Sequence, residues 1–163
     1  MVGLITAIII FNFIAFKVAA KKLSTNRIVH IIAFTLVLQT IFDLYIEFKY
    51  HGYWYFTKGI EYSGLLAHLL VVPPVNVLFI KWYPHHAKWW KVFLYYLVWE
   101  IGTLGYEFLA LLPEPWGYFH YGWWNIGYSI ILNPILLILL YLYYKWIVKI
   151  EKSACNHYER GLL

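Results

Sequence analysis

Charge is scarce in this chain of 163 residues: Asp, Glu, Lys and Arg supply 13% of it, against about 25% in an ordinary soluble domain. Hydrophobic residues supply 63%, more apolar surface than a soluble fold of this length can hide. Lipid is therefore the expected solvent for much of it. Cysteine is nearly absent, and the single Cys155 excludes an intrachain disulfide. No Cys/His spacing of the zinc type occurs, so neither a metal nor another cofactor is expected. A Gly-rich phosphate loop, HExxH and GxSxG are all missing, which argues against a nucleotide-driven pump. The net charge of +5 does not mark a nucleic-acid binder, because the basic residues fall in short clusters between apolar runs.

What the chain has in abundance is apolar helix and aromatic side chains. The pattern predicts an all-α, polytopic bundle forming a single transmembrane domain of five spans, at about 3–20, 28–48, 61–80, 92–112 and 125–148, with a short tail over 149–163. The first apolar run lacks a basic n-region and its positive charges follow it, so a retained span is expected rather than a signal peptide. Adjacent Pro73 and Pro74 should kink or break the third span, and Asn133-Pro134 should interrupt the fifth. With the N-terminus outside and the C-terminus cytoplasmic, eleven of the 13 Lys and Arg residues fall on the cytoplasmic side and only Lys49 and Lys58 on the outer side. That asymmetry is what the positive-inside rule requires. Spans two with three, and four with five, also read as two similar hairpins, each with an acidic outer end and an aromatic outer loop.

Carboxylates inside such helices are costly and mark the candidate site. Asp43 and Glu107 each lie fifteen residues from the cytoplasmic start of their span, roughly 22 Å along the helix. His68, seven residues down from the outer end of span three, reaches a similar depth. Glu47 shares a helical face with Asp43, and Glu100 lies two turns before Glu107, roughly 10 Å away along the axis. An unpaired charge at Glu100, near mid-membrane, would cost at least ~2.5 kcal/mol. Trp54 from one outer loop and Tyr118, His120, Trp123 and Trp124 from the other complete an acidic, aromatic vestibule facing outward.

Three functions fit these residues. The pocket binds a lipid-like or cationic small molecule through Glu47, Glu100, His68 and the rings, alone or within a larger assembly. Alternatively Glu107 or Asp43 is the general acid of a membrane-embedded enzyme acting on an isoprenoid or lipid, with the rings stabilising a carbocation. A third reading is a small proton or cation transporter. Against all three stands simple structural pairing of the acids with His68, tyrosine hydroxyls and tryptophan N–H groups. A membrane lipid or isoprenoid is the expected small partner, nucleic acid is not, and Gly102 and Gly105 would let a helix of the same or another subunit approach closely.

The segments PPVNVLFIKWYP, LVWEIGTLGYEFLALL and GYFHYGWWNIGYS, with Pro74-Val75-Asn76, Glu107, Gly122-Trp123 and Tyr128-Ser129 as the best-defined matches, resemble a family of small, uncharacterised multi-span membrane proteins from endospore-forming Gram-positive bacteria. The resemblance spans about Ile28 to Ile150 and implies a bacterial plasma membrane. It implies no activity. A looser likeness, of architecture alone, is to membrane-embedded isoprenoid cyclases.

Overall fold

The computed structural model describes residues 1–19, 23–59 and 62–160, with side chains on all of these except 18, 19 and 155–160. Lys21, Lys22 and Glu61 lie outside the described residues, as do the side chains of Cys155, His157 and Arg160. The chain is 76% helical. Its elements run α1 (Val2–Ala19), α2 (Thr25–Asp43), a π-helical turn (Leu44–Lys49), β1 (Tyr53–Tyr55), α3 (Tyr62–Leu70), α4 (Val72–Trp82), α5 (Trp89–Ala110), β2 (Phe119–Tyr121) and α6 (Ile126–Arg160). Three helical stretches among the described residues are long and apolar enough to cross a membrane: Thr25–Lys49, Tyr62–Trp82 and Ile126–Ala154.

The other two expected spans differ from these for physical reasons. The apolar stretch Val2–Lys17 is shorter. The α5 helix has 22 residues, about 33 Å at 1.5 Å each, but Trp89, Trp90, Trp99, three tyrosines, Glu100 and Glu107 dilute its hydropathy. Along its flank Phe93, Val98, Ile101 and Phe108 are exposed. The segment expected as a tail continues α6 as far as Arg160.

Local sequence explains where the helices start and bend. Ser24 caps α2, its hydroxyl accepting from the Arg27 backbone N–H at 3.3 Å, which satisfies one of the donors a helix start leaves free. The break between α3 and α4 falls at Val71, and Pro73 and Pro74 occupy the first turn of α4, where a missing N–H is tolerated. Pro134 behaves differently from the expectation: α6 runs through it without interruption. At the far end of the bundle α2 and α6 are joined by Arg27, whose Nε lies 2.6 Å from Glu151 Oε2, and by Asn26, whose amide donates to Glu151 Oε1 at 2.8 Å.

The expectation of helices alone missed a small sheet. The two aromatic loops meet at one end of the bundle, where β1 and β2 pair antiparallel with Trp54 opposite His120. This join closes two backbones tightly. Gly122 donates its N–H to the Gly52 carbonyl at 2.7 Å, and a Cβ on Gly122 would stand 2.2 Å from the His51 carbonyl oxygen. The chain leaves α5 through an equally crowded turn that contains a cis Glu114-Pro115 bond.

Gly117 in that turn has no room for a side chain, since a Cβ would meet the Leu112 carbonyl oxygen at 1.6 Å and that of Ala110 at 2.9 Å. Gly117→Ala is expected to cost about 1–3 kcal/mol, the usual range for overpacking. Thermal unfolding followed by circular dichroism checks this. Gly102→Ala is the matched control, because a Cβ there meets nothing within 4 Å.

Side chains pack in two separate clusters. One, beneath the sheet, joins Leu4, Ala67, Val71, Tyr118, Phe119 and Trp124. The other, toward the opposite end, joins Ile31, Phe79, Ile80, Tyr83, Leu140 and Tyr144. Between them the bundle is hollow, and Thr35, Gln39, Asn76, Thr103, Glu107, Ser129 and Asn133 bring polar groups to its wall.

Candidate functional site

The pairing of α2 with α3 brings three of the expected residues into one group. Asp43 ends α2 and Glu47 follows it one turn later, within the π-helical turn, so both carboxylates face the same neighbour. That neighbour is His68 on α3. Its Nδ1 lies 2.9 Å from Asp43 Oδ2 and its Nε2 lies 3.6 Å from Glu47 Oε2. Asp43 and Glu47 are each 4% exposed. Tyr53 of β1 donates its hydroxyl to Asp43 Oδ1 at 2.5 Å, and the Tyr55 ring meets His68 edge-on at 4.6 Å. Burial first, and the Asp43 carboxylate second, hold the Tyr53 hydroxyl well above the usual tyrosine range, so it stays a donor. The Gln39 amide nitrogen lies 3.2 Å from His68 Nδ1.

Glu107 belongs to a different place. It lines a cavity of about 270 Å³ between the two side-chain clusters. Apolar walls come from Phe34, Leu38, Phe42, Leu132 and Leu136, while Gln39, Asn76, Thr103, Ser129 and Asn133 supply polar points. Rings of Tyr53, Tyr55, Tyr118, Phe119 and Trp124 close the sheet end. Tyr121 and Ser129 both donate to Glu107 Oε1, Ser129 at 2.7 Å. Trp124 Nε1 in turn donates to Ser129 Oγ at 3.0 Å. Both hydroxyls meet the same carboxylate oxygen and so orient the group. Burial first and Glu107 next raise the Tyr121 hydroxyl above its ordinary range, which keeps that donor protonated.

A second, apolar recess of about 460 Å³ opens between α1 and α5, lined by Ala7, Ile10, Phe11, Leu109 and Trp116 among others. It shares Tyr106, Ala110 and Tyr118 with the central cavity. The hydroxyls of Tyr106 and Tyr118 hydrogen-bond to each other across this common wall.

The remaining expected residues spread out. Glu100 is buried one layer deeper, with Asn133 Nδ2 at 3.5 Å from its Oε1 and no hydrogen-bond partner for its Oε2 among the described residues. His120 stacks on Trp54 at the outer surface of the sheet, ring centroids 6.0 Å apart. Trp123 is exposed and donates to the Tyr50 carbonyl. Tyr118 and Trp124 line the cavity; Trp54, His120 and Trp123 do not. The structure thus separates what the sequence presents as one vestibule into a buried Asp43–Glu47–His68 group and a cavity holding Glu107.

Sequence reasoning put tyrosine hydroxyls beside the acids without singling out Tyr53 for Asp43 or Tyr121 for Glu107, and it missed Ser129 and the Tyr106–Tyr118 bond. The signal for Ser129 was present, as a hydroxyl near the start of an apolar helix following Trp124. The tyrosines carried none, since sixteen tyrosines leave no way to single out the few that reach a carboxylate. No protein-family model, no curated protein and no solved structure matches the chain.

Proposed function

We propose that this protein is an integral membrane protein that holds one small amphipathic molecule in its central cavity, the apolar body among the rings and a positively charged or hydrogen-bond-donating head against Glu107. The observation that carries this reading is the combination of an apolar and aromatic cavity with a single carboxylate oriented by Tyr121 and Ser129. Mostly apolar walls with a few convergent polar groups are the usual composition of a ligand site. The recess between α1 and α5, separated from the cavity by Tyr106, Ala110 and Tyr118, suits a guest arriving from the lipid rather than from water.

In this reading the chain crosses the membrane five times with the sheet end outward, as the lysine and arginine asymmetry favours. The membrane is a bacterial plasma membrane if the family resemblance holds. Should the guest be transformed rather than only held, Glu107 is the acid placed to act on it, because Asp43 faces Tyr53 and His68.

Native mass spectrometry of protein released gently from its own membrane tests the proposal. A discrete bound lipid, isoprenoid or amine is expected. Its occupancy should fall about tenfold to a hundredfold in Glu107→Gln if the head is charged, the cost of losing a hydrogen bond to an ionised group. Protein that carries nothing through mild activation would remove the reading. Conversion of the guest by wild type and not by the variant would make the protein an enzyme.

A further inference from the structure

The Asp43–Glu47–His68 group takes no part in the cavity, since none of the three lines it. We infer that these residues form a binding site for one divalent transition-metal ion, of the zinc or manganese class, beside β1 of the two-stranded sheet. One ligand atom from each residue can be chosen so that all three lie within 4.8 Å of one another, close enough for small adjustments to bring them around a common ion at bond lengths of about 2.0–2.2 Å. The donor set is two carboxylate oxygens and one imidazole nitrogen. Imidazole favours zinc and its neighbours, and carboxylates also admit manganese.

A second observation points to a ligand independently of the clustering. Glu47 Oε2 is buried, has no hydrogen-bond partner among the described residues, and is directed at His68 Nε2 from 3.6 Å away. A polar atom left so is costly, and a bound cation would satisfy it. Gln39, Tyr53 and Tyr55 surround the group, and Tyr53 holds Asp43 in place through its hydroxyl at 2.5 Å. Oriented ligands of this kind are the rule at metal sites, where the supporting hydrogen bond is worth about tenfold to a hundredfold in affinity. The site also sits at a π-helical turn, a distortion of the helix that recurs at functional positions. The competing account is a protonated His68 bridging both carboxylates with no ion.

Metal uptake by the full chain in nanodiscs separates the two. Protein stripped with a chelator would be equilibrated with Zn²⁺ or Mn²⁺, desalted and analysed for metal by mass spectrometry, with Co²⁺ absorption as the spectroscopic report of ligation. One equivalent of metal is expected, with visible Co²⁺ bands that require His68. Affinity should fall at least about tenfold in Glu47→Gln and in Tyr53→Phe. Glu47→Gln keeps the side chain's shape, and its thermal unfolding without metal, compared with that of the wild type, separates loss of metal from loss of fold. Glu107→Gln should leave uptake unchanged, which keeps this result independent of the cavity's guest. Wild-type protein without bound metal or Co²⁺ bands would overturn the inference, as would uptake indifferent to both Glu47→Gln and His68→Gln.

Discussion

An Asp43→Ala chain should be less stable than wild type by roughly 3–5 kcal/mol, the range found when one member of a buried polar pair is removed and the other stays behind. Asp43 is 4% exposed and is the meeting point of two contacts, the Tyr53 hydroxyl at 2.5 Å and His68 Nδ1 at 2.9 Å. Alanine leaves both without their acceptor. The effect should also travel, because Tyr53 belongs to β1 and its ring packs on Phe119 of β2 and on Trp124. Denaturant titration in mild detergent, followed by helicity and by tryptophan fluorescence, measures the change. A double-mutant cycle with His68→Ala then isolates the pair, and its coupling should exceed 1 kcal/mol for residues in direct contact, within the range of about 0.5–3. A loss below 1 kcal/mol for Asp43→Ala would mean that water already reaches the group.

Glu100 should give the opposite sign. Glu100 is 8% exposed, its Oε1 has Asn133 at 3.5 Å, and its Oε2 has no hydrogen-bond partner among the described residues. Methionine offers similar volume and no unsatisfied oxygen. Glu100→Met should therefore stabilise the protein by about 1–3 kcal/mol, the desolvation cost of a buried polar group that lacks a partner. Asn133 retains Thr103 Oγ1 at 3.5 Å, so it is not abandoned by the exchange. The same denaturant titration reads the gain. A destabilised Glu100→Met chain would show that the carboxyl is paired in the working protein, as it would be on an ion path through the bundle.

Much of the helical scaffold was legible in the sequence because it rests on short-range rules. The Pro73-Pro74 pair marks the α3–α4 break, and the i, i+4 spacing of Asp43 and Glu47 predicts one face. Counting residues along each helix brings Asp43 level with His68, which the 2.9 Å contact matches. The rest depends on contacts that no local pattern encodes. β1 and β2 are separated by more than sixty residues, and nothing in YWY or FHY by itself selects the other as partner. The depth count also puts Glu107 level with Asp43, but depth says nothing of azimuth. Only the packing of α5 on α6 turns Glu107 toward Ser129 and the cavity. Pro134 is the converse case, a local breaker overridden within the long α6.

The order of the elements also gives the two sites different histories during synthesis. Gln39, Asp43, Glu47, Tyr53 and His68 all come from one continuous stretch, so every member of the carboxylate and imidazole group is present once α2 and α3 have been made. The cavity is not yet complete. Its walls draw on residues from Phe34 to Leu140, and its lid waits for β2 to reach β1. A nascent chain arrested after α4 would hold every residue of that group and none of the cavity's walls from α5 and α6. The cavity's own residues divide the same way, those from Phe34 to Asn76 being made well before those from Thr103 to Leu140.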